Sequence, residues 1–328
     1  MIPENKQVAV KKALHAAFGV HDFEDIQPLL KGLSSALIFK IMVRGNPYLL
    51  RVITRTDAMG DPAFFYGCMK VAAEAALAPP IYYLSIEDRI SITGFIEAHP
   101  FPIPEAKRRM PLLLRQLHSL PRFPYRIHYF DAMEGFMAKF RATSMLPENA
   151  TKDMFDSYQH IASIYPRNDQ SSWVSCHNDL KPENIIYDGL HPWLVDWEGA
   201  FLNDRYLDLA VVANFVVKSE DDEVEYLESY FGEPVDAYKR ARFFVMSQML
   251  HLYYFTLFML FGYTGKPMDV NSLDKPDFRV FIERIWNGEI DLANSDAKLQ
   301  YAWVHREAFM RNIQTKRLDE SLRIIEKG

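Results

Sequence analysis

The sequence changes character once, near Pro100, and this change limits the fold more than any other feature. Before it, short apolar runs rich in β-favouring residues are separated by turn residues. Leu37–Val43 and residues 48–53 flank residues 44–47, which include Gly, Asn and Pro. This pattern predicts a β-hairpin. Two further strands are predicted over residues 81–85 and 90–96.

One helix is predicted among these strands. Asp61 and Pro62 form a helix start, with Asp as the N-cap and Pro at the first helical position. The apolar sequence that follows continues as far as Pro79 and Pro80, which end the helix because the residue before a proline disfavours the α conformation.

The remainder of the chain is mostly helical in pattern. Pro100, Pro102 and Pro104 form a stiff connector. The predicted helices cover residues 108–120, 129–143, 152–164, 206–217, 222–230, 235–261, 276–287 and 298–325, and a β-rich island interrupts them at residues 174–195. We therefore expect an α+β fold with a small antiparallel-sheet lobe with one helix (residues 1–97) and a large mainly helical lobe (98–328). Clefts between such lobes are common ligand sites.

Composition excludes several classes of function. The chain has 328 residues, a net charge of −6 and 49% apolar residues, enough for a folded core. A net acidic chain is a poor general nucleic-acid binder, since phosphate contacts need clustered Lys and Arg. Cys68 and Cys176 make neither a disulfide framework nor a metal-type spacing, which favours a cytoplasmic setting. We predict neither a signal peptide nor a membrane span.

The β-rich island carries the strongest functional signal, the sequence His177-Asn-Asp179-Leu-Lys-Pro-Glu-Asn184. Asp196 follows a second apolar pair about ten residues later. A tight hairpin turning at residues 188–189 would bring Asn184 close to Asp196. An amide oxygen beside a carboxylate suits Mg²⁺ held with phosphate oxygens and water. Asp179, on the preceding loop, could accept the proton of an alcohol that attacks a phosphoryl group.

These spacings resemble the protein-kinase-like phosphotransferases, and within them the aminoglycoside phosphotransferases and choline/ethanolamine kinases. Residues 204–210 (DRYLDLA), 196–198 (DWE) and 115–121 (RQLHSLP) also resemble segments of those families. Together the matches run from about residue 32 to residue 230. The resemblance implies an ATP- and Mg²⁺-dependent kinase acting on a small-molecule alcohol, with no covalent enzyme intermediate.

The resemblance also implies residue roles in the second lobe. Asp179 would be the catalytic base, and Asn184 and Asp196 the magnesium ligands. His177 and Asp208 would support the catalytic loop through hydrogen bonds. For Lys181, a contact to the transferring phosphate and an ordinary solvent-facing position are both open.

In the first lobe the resemblance implies the nucleotide contacts. Ser34 and Ser35, after Gly32, would lie in the loop over the ATP phosphates. Arg51 occupies the position at which a kinase lysine pairs with nucleotide phosphates, and its planar fork suits phosphate. Glu74, on the predicted helix, would be its ion-pair partner. The alternative is that Arg51 and Glu74 are ordinary exposed charges.

The acceptor is harder to infer. Residues 219–228 include six acids and no base, which could line a pocket for a cationic amine, although a capped helix start explains them better. Aromatic residues of 251–263, with Tyr254 on one helical face, could cage a quaternary ammonium, although such a stripe is more often core. Glu198 and Asp204 are further candidate substrate ligands, whereas an acid usual in choline kinases shortly after Asp208 is missing.

Three functions therefore remain open at this level. The first is a small-molecule kinase, with an amino alcohol such as choline or ethanolamine favoured over an aminoglycoside or sugar alcohol. The second is a non-catalytic kinase-like protein that binds nucleotide, which has no need of Asp179, Asn184 and Asp196 together. The third, a protein kinase, lacks a recognisable activation segment after Asp196.

Overall fold

A computed structural model describes residues 2–29, 36–56, 60–263, 265 and 276–328. The chain divides into two compact units. The first contains Met1–Phe101, Leu120–Pro124 and Asp179–Phe201, and the second contains Pro102–Ser119, Tyr125–Asn178 and Leu202–Gly328. The chain passes from the second unit into the first immediately before Asp179. The predicted boundary at 97/98 thus lies close to the end of the first long segment, but residues 179–201 pack with the first unit.

The first unit is built on a five-stranded antiparallel sheet in the described part of the chain. Its strands lie in the order β1-β2-β3-β5-β4. Apolar side chains alternate along the central strands, so that Phe39, Ile41 and Val43 are all buried on one face. The strands are β1 (Asp25–Pro28), β2 (Leu37–Val43), β3 (Asn46–Val52), β4 (Ile81–Ser85) and β5 (Ile90–Gly94).

The predicted hairpin is present and its turn is shorter than expected. Val43 pairs with Asn46, so only Arg44 and Gly45 lie in the turn. Both have positive φ, 52° and 73°, as a two-residue turn that matches the twist of its strands requires. Because the turn is so tight, β3 begins two residues earlier than predicted and Arg51 lies opposite Ile38.

Two helices pack in this unit where one was predicted. The predicted helix is α2 (Tyr66–Glu74), preceded by a 3₁₀ turn at Pro62–Phe64 that Asp61 caps. The missed helix is α1 (Glu4–Phe18), which ends at Gly19 in the left-handed conformation. It buries Val10, Ala13 and Leu14 against the sheet core. Only these three of its 15 residues are buried. The apolar pattern that would have predicted α1 from the sequence is therefore weak.

The second unit is mainly helical. A two-stranded ladder of β6 (Trp173–Cys176) and β9 (Phe201–Asp204) precedes its central helices. The helices are α3 (Ile103–His118), α4 (Tyr129–Thr143), α5 (Lys152–Ile164), α6 (Arg205–Val216), α7 (Glu220–Phe231), α8 (Ala237–Gly262), α9 (Phe278–Trp286), α10 (Ser295–Asn312) and α11 (Lys316–Glu326). The predicted last helix is therefore two helices, α10 and α11.

Helix α8 forms the centre of this unit. It has 26 residues, and among the described helices it alone is long and apolar enough, by length and composition, to cross a membrane. However, 78% of its most apolar window is buried, and α4, α5, α6, α10 and α11 all pack on it. A helix that is apolar on every side and covered by other helices is typical of a protein core, so we interpret α8 as the core helix of the unit.

Candidate functional site

The loop from Asp179 to Asn184 belongs to the first unit and is closed by one side chain. Asn184 Nδ2 donates to the main-chain oxygen of Asp179 at 2.7 Å and to Asp179 Oδ2 at 2.9 Å. Because only the amide nitrogen can donate, these two bonds define the orientation of the amide and leave Oδ1 of Asn184 as its acceptor. The side chain is 4% exposed, so the loop is held rigidly.

Asp179 remains accessible within this arrangement. Its side chain is 41% exposed. Oδ2 also accepts from Lys181 Nζ at 2.9 Å, and no other side-chain contact to Asp179 exists in the described part of the chain. Oδ1 is therefore the atom left to accept a proton from a substrate. Burial opposes the charge of Lys181, but Asp179 outweighs it and raises the pKa of the ammonium, so Lys181 stays charged beside Asp179.

The predicted hairpin after this loop is present and places Asp196. Strands β7 (Ile185–Tyr187) and β8 (Pro192–Leu194) pair in register, and Val195 N–H donates to the main-chain oxygen of Asn184 at 3.0 Å. Asp196 follows directly, with φ 63° and ψ 66°. A left-handed conformation is uncommon outside glycine and occurs often at functional positions. It turns the chain out of the strand at the predicted metal ligand.

Arg51 of β3 contacts this carboxylate. Both terminal nitrogens lie 3.0 Å from Asp196 Oδ1, and one of them also donates to Glu198. Burial opposes the charge of Arg51, but Asp196 and then Glu198 outweigh it, and the pKa of the guanidinium is raised. The predicted partner, Glu74, is exposed at the last position of α2. The expected Arg51–Glu74 pair is thus replaced by two acids that the hairpin supplies.

These groups fit a magnesium–nucleotide site. Asp196 supplies a carboxylate and Asn184 a free amide oxygen, which are hard donors of the kind that Mg²⁺ takes together with phosphate oxygens. Arg51 supplies a buried planar cation that can pair with phosphate. Ser34 and Ser35, predicted to lie over the phosphates, fall outside the described residues.

Asp208 of α6 holds the two residues that precede Asp179, and all three of these residues lie in the second unit. Its two carboxylate oxygens accept the main-chain N–H groups of His177 and Asn178, both at 2.8 Å, and His118 Nε2 lies 3.2 Å away. Asp208 is fully buried. Burial alone would raise its pKa, but the bond from His118 and the neighbouring donors lower it, so the anchor is a carboxylate. These hydrogen bonds are of the kind that the prediction for Asp208 requires, and His177 is fully buried beside it.

Sequence reasoning missed Asn178. Its φ is 66°, and its Oδ1 accepts from Asn203 Nδ2 at 2.8 Å. With its N–H held by Asp208, Asn178 is locked in a left-handed turn immediately before Asp179. Asn is one of the residues that tolerates this conformation, and that tolerance was the available signal.

His118, Cys176 and Asp208 form a buried group whose possible ligand atoms lie within 4.8 Å of one another. Their atoms are already engaged, since His118 Nδ1 lies 2.7 Å from the Tyr230 hydroxyl and Asp208 holds the catalytic loop. Burial, followed by Asp208 and Asp204, raises the pKa of the Cys176 thiol well above its usual value. A protonated thiol is a poor ligand, so we interpret this group as structural.

Asp204, a candidate substrate ligand, has a structural position. It is 3% exposed and caps α6 through the N–H of Tyr206. Its Oδ2 accepts from the Tyr165 hydroxyl at 2.8 Å and from Arg242 at 2.9 Å. A buried arginine already uses this carboxylate, which favours a structural role, and the expectation that Asp204 contacts a substrate stays a prediction. Glu198 pairs with Arg51 as described above.

The two other acceptor signals also have structural explanations. Tyr254 is 8% exposed and packs on Tyr301 and His305, with ring centroids 5.8 and 5.0 Å away. In the acidic run, Ser219 Oγ caps the N–H of Asp222, and Lys107 binds Asp222 and Glu225, both at 2.8 Å. The core and helix-start alternatives are therefore the better descriptions of Tyr254 and of α7.

Comparisons with known proteins agree with this geometry. Residues 25–244 match the Phosphotransferase enzyme family, about two thirds of the chain. The chain therefore belongs to this family. The matched range contains Arg51, the catalytic loop, the hairpin and Asp208, which is the part of the chain that the sequence motifs had singled out.

Solved structures show the same fold. A choline/ethanolamine kinase family protein from Mesorhizobium loti has 19% identity, and the match covers 98% of this chain and 100% of that one, with a TM-score of 0.66. Choline kinase LicA from Streptococcus pneumoniae has 18% identity over 88% of this chain and 99% of its own, with a TM-score of 0.56. The streptomycin–ATP–APH(2″)-IIa ternary complex has 12% identity over 86% and 99%, with a TM-score of 0.59. The predicted protein-kinase-like α+β fold is confirmed.

Among curated proteins, LicA from Haemophilus influenzae is 26% identical over 127 residues, which is 39% of this chain. The match spans 44% of that relative, less than half its length.

Proposed function

We propose that this protein is a kinase that transfers the γ-phosphoryl group of Mg²⁺-bound ATP directly to the hydroxyl group of a small molecule. The observation that carries the proposal is the Asp179–Asn184 loop, in which an accessible carboxylate is held rigidly beside an amide oxygen and is followed by the hairpin that presents Asp196. Family membership supports the reaction class.

Each residue then has a defined task. Asp179 orients the acceptor hydroxyl and takes its proton through Oδ1 as the oxygen attacks. Asn184 and Asp196 would hold the magnesium, which when bound neutralises charge on the phosphates. Arg51 pairs with phosphate oxygens, and Lys181 places a second positive charge beside the reacting oxygen. Positioning and charge neutralisation supply most of the catalysis in such reactions.

For the acceptor, we propose an amino alcohol of the choline or ethanolamine type. The support comes from similar solved structures, since two of them are by name a choline/ethanolamine kinase family protein and a choline kinase. The acids of α7 add little to that support, because Ser219 caps the N–H of Asp222 and Lys107 binds both Asp222 and Glu225.

A second candidate acceptor is an aminoglycoside or another sugar alcohol. The similarity to the streptomycin–ATP–APH(2″)-IIa complex favours it. A protein that binds nucleotide without catalysis is the remaining alternative, and the complete set of Asp179, Asn184 and Asp196 argues against that alternative.

A coupled assay of ADP release over a panel of alcohols tests the proposal. Choline, ethanolamine, aminoglycosides and sugar alcohols are each supplied with ATP and Mg²⁺, and the product is identified by mass. We expect turnover with at least one amino alcohol and none with Asp179→Ala, which should still bind ATP. A matched control is Asp153→Ala, at an exposed position of α5. Unchanged turnover in Asp179→Ala would refute the mechanism. No ADP release with any alcohol of the panel, together with intact ATP binding, would favour the non-catalytic alternative.

A further inference from the structure

The second unit contains a pocket whose lining includes none of the residues given a role in the proposed reaction. Its volume is about 280 Å³, and helices α6, α7, α8, α9, α10 and α11 all contribute to its lining. The polar residues on which the argument depends are Asn214, His251, Arg279 and Arg311. Three phenylalanines, Phe243, Phe244 and Phe278, form its apolar part.

The charges of this pocket are unbalanced. Its lining contains four cations and two acids. One acid, Glu223, already binds Arg240 and Arg317, and Lys218 binds Glu283 at 3.1 Å. In the part of the chain that the structure describes, neither Arg279 nor Arg311 forms an ion pair with a carboxylate. Asp277 and Asp222 oppose the lowering of the Arg279 pKa without reversing it, so among the described residues these two guanidinium groups lack a direct ion-pair partner.

Burial and this excess of positive charge lower the pKa values of titratable groups at the pocket. Burial and the charge of Arg311 lower the pKa of Arg279. Burial, followed by the charges of Arg279 and Arg311, lowers the pKa of His251 to about 3. His251 is therefore a neutral imidazole, and an anion in the pocket would relieve the repulsion between the two arginines.

Asn214 provides a donor without an acceptor. It lies near the end of α6 and is 8% exposed, and its Nδ2 has no hydrogen-bond partner among the described residues. Arg279 is placed beside it, because its guanidinium donates to the main-chain oxygens of Asn214 and Val217. Buried donors in proteins are nearly always paired, so an unpaired amide in a cavity lined by arginines indicates a ligand that accepts hydrogen bonds.

His251 can add a second donor. Its Nδ1 lies 2.7 Å from His305 Nδ1, so these two nitrogens share one proton. The remaining polar atom of the His251 ring is Nε2, which carries a proton when His305 donates to His251. The pocket therefore combines two cations, an amide donor and an imidazole with an apolar wall.

We propose that this pocket binds a small organic oxyanion, a carboxylate or phosphate monoester, with Arg279 and Arg311 neutralising its charge and Asn214 donating a hydrogen bond to it. The proposal does not depend on the identity of the phosphoryl acceptor. Arginine is suited to both groups, because its planar fork matches carboxylate and phosphate oxygens.

Isothermal titration calorimetry with inorganic phosphate and with acetate tests this proposal. The protein is first saturated with Mg²⁺ and a non-hydrolysable ATP analogue, so that phosphate cannot occupy the nucleotide site, and chloride maintains the ionic strength. We expect saturable binding of at least one of the two anions. Phosphate alone would identify a phosphate monoester site, and acetate alone a carboxylate site.

Two variants and a control complete the experiment. Arg311→Gln, at an exposed side chain, and Asn214→Asp, which keeps the shape but replaces the donor with a negative charge, should each weaken anion binding about tenfold or more. Arg323→Gln, an exposed arginine of α11, should bind as the unaltered protein does. If Asn214→Asp fails to fold, Arg311→Gln decides alone. Binding that is absent for both anions, or equal in Arg311→Gln, would overturn the proposal, whereas loss of analogue binding concerns the kinase site.

Discussion

Both terminal nitrogens of Arg51 lie 3.0 Å from the same carboxylate oxygen of Asp196. The residue proposed to bind nucleotide phosphate and the residue proposed to bind magnesium thus neutralise each other's charge. Magnesium–ATP supplies each of them with a new partner of opposite charge. The charge of Arg51 is thus balanced by Asp196, which is proposed to bind magnesium, and by Glu198, which has no proposed role in catalysis.

Replacing Arg51 should weaken nucleotide binding. In Arg51→Gln, we expect the KM for ATP to rise about tenfold or more, because a charge-assisted bond to phosphate contributes roughly 1.5–3 kcal/mol. Steady-state kinetics at saturating acceptor measures the change. Lys70→Gln, which removes an exposed cation from α2 of the same unit, is the matched control. A KM equal in both variants would mean that Arg51 serves only to neutralise Asp196.

Replacing Asp196 should change the magnesium dependence. In Asp196→Asn, the concentration of Mg²⁺ needed for half-maximal turnover should rise at least roughly tenfold, and kcat should fall by about a hundredfold or more, because even indirect partners of metal ligands contribute about 10–100-fold. A magnesium titration at saturating ATP measures both. Asp22→Asn, at an exposed position, should behave as the unaltered protein does. An unchanged magnesium titration would exclude Asp196 as a ligand.

Asp208 should stabilise the fold in a way that depends on pH. Asp208→Asn turns one accepting oxygen into a donor against the buried N–H groups of His177 and Asn178. We expect it to lower the free energy of unfolding by about 2–4 kcal/mol, since an unsatisfied buried group costs about 1–3 kcal/mol. Urea unfolding measures this loss. Asp131→Asn, whose side chain is 75% exposed, is the control.

The sign of the pH dependence follows from the lowered pKa of Asp208. Burial alone would raise that pKa, and the bond from His118 together with the neighbouring donors reverses this. The stabilisation is therefore complete above the unfolded pKa, near 3.9, and is lost as the pH falls through the lower folded value. Between about pH 5 and pH 2, Asp208→Asn should lose less stability than the unaltered protein. An identical acid transition in both proteins would contradict this account.

Asp204 should affect stability and leave acceptor binding unchanged. In Asp204→Asn, Arg242 keeps Asp169 at 3.0 Å but loses its other carboxylate, and breaking a buried pair costs roughly 3–5 kcal/mol. We expect a loss of about 3 kcal/mol by urea unfolding, with the KM for the acceptor within about twofold of the original. Asp296→Asn, exposed near the start of α10, controls for the change of charge. Intact stability with a raised KM would restore Asp204 as a substrate ligand.

Local patterns predicted the parts of the site that neighbouring residues determine. The hairpin that follows Asn184 was predictable because only residues 188–191 separate its strands and a turn residue marks the reversal at Gly189. The role of Asp208 as a support was predictable through the resemblance. The left-handed conformations of Asn178 and Asp196 were not predicted, although both residue types tolerate them.

The sequence by itself determined the residues that carry the proposed reaction, because Asp179, Asn184 and Asp196 lie within eighteen residues and one hairpin places the last two. Only the tertiary structure decided which distant charges meet. Arg51 pairs with Asp196, 145 residues further along the chain, rather than with Glu74. Arg242 pairs with Asp204, which lies 38 residues before it. The physical reason is that a buried charge takes whichever counter-charge the packing brings to it, and side-chain type alone does not specify that partner. The pocket at Arg279 and Arg311 is likewise a product of packing, since it needs the ends of helices that are far apart in the chain.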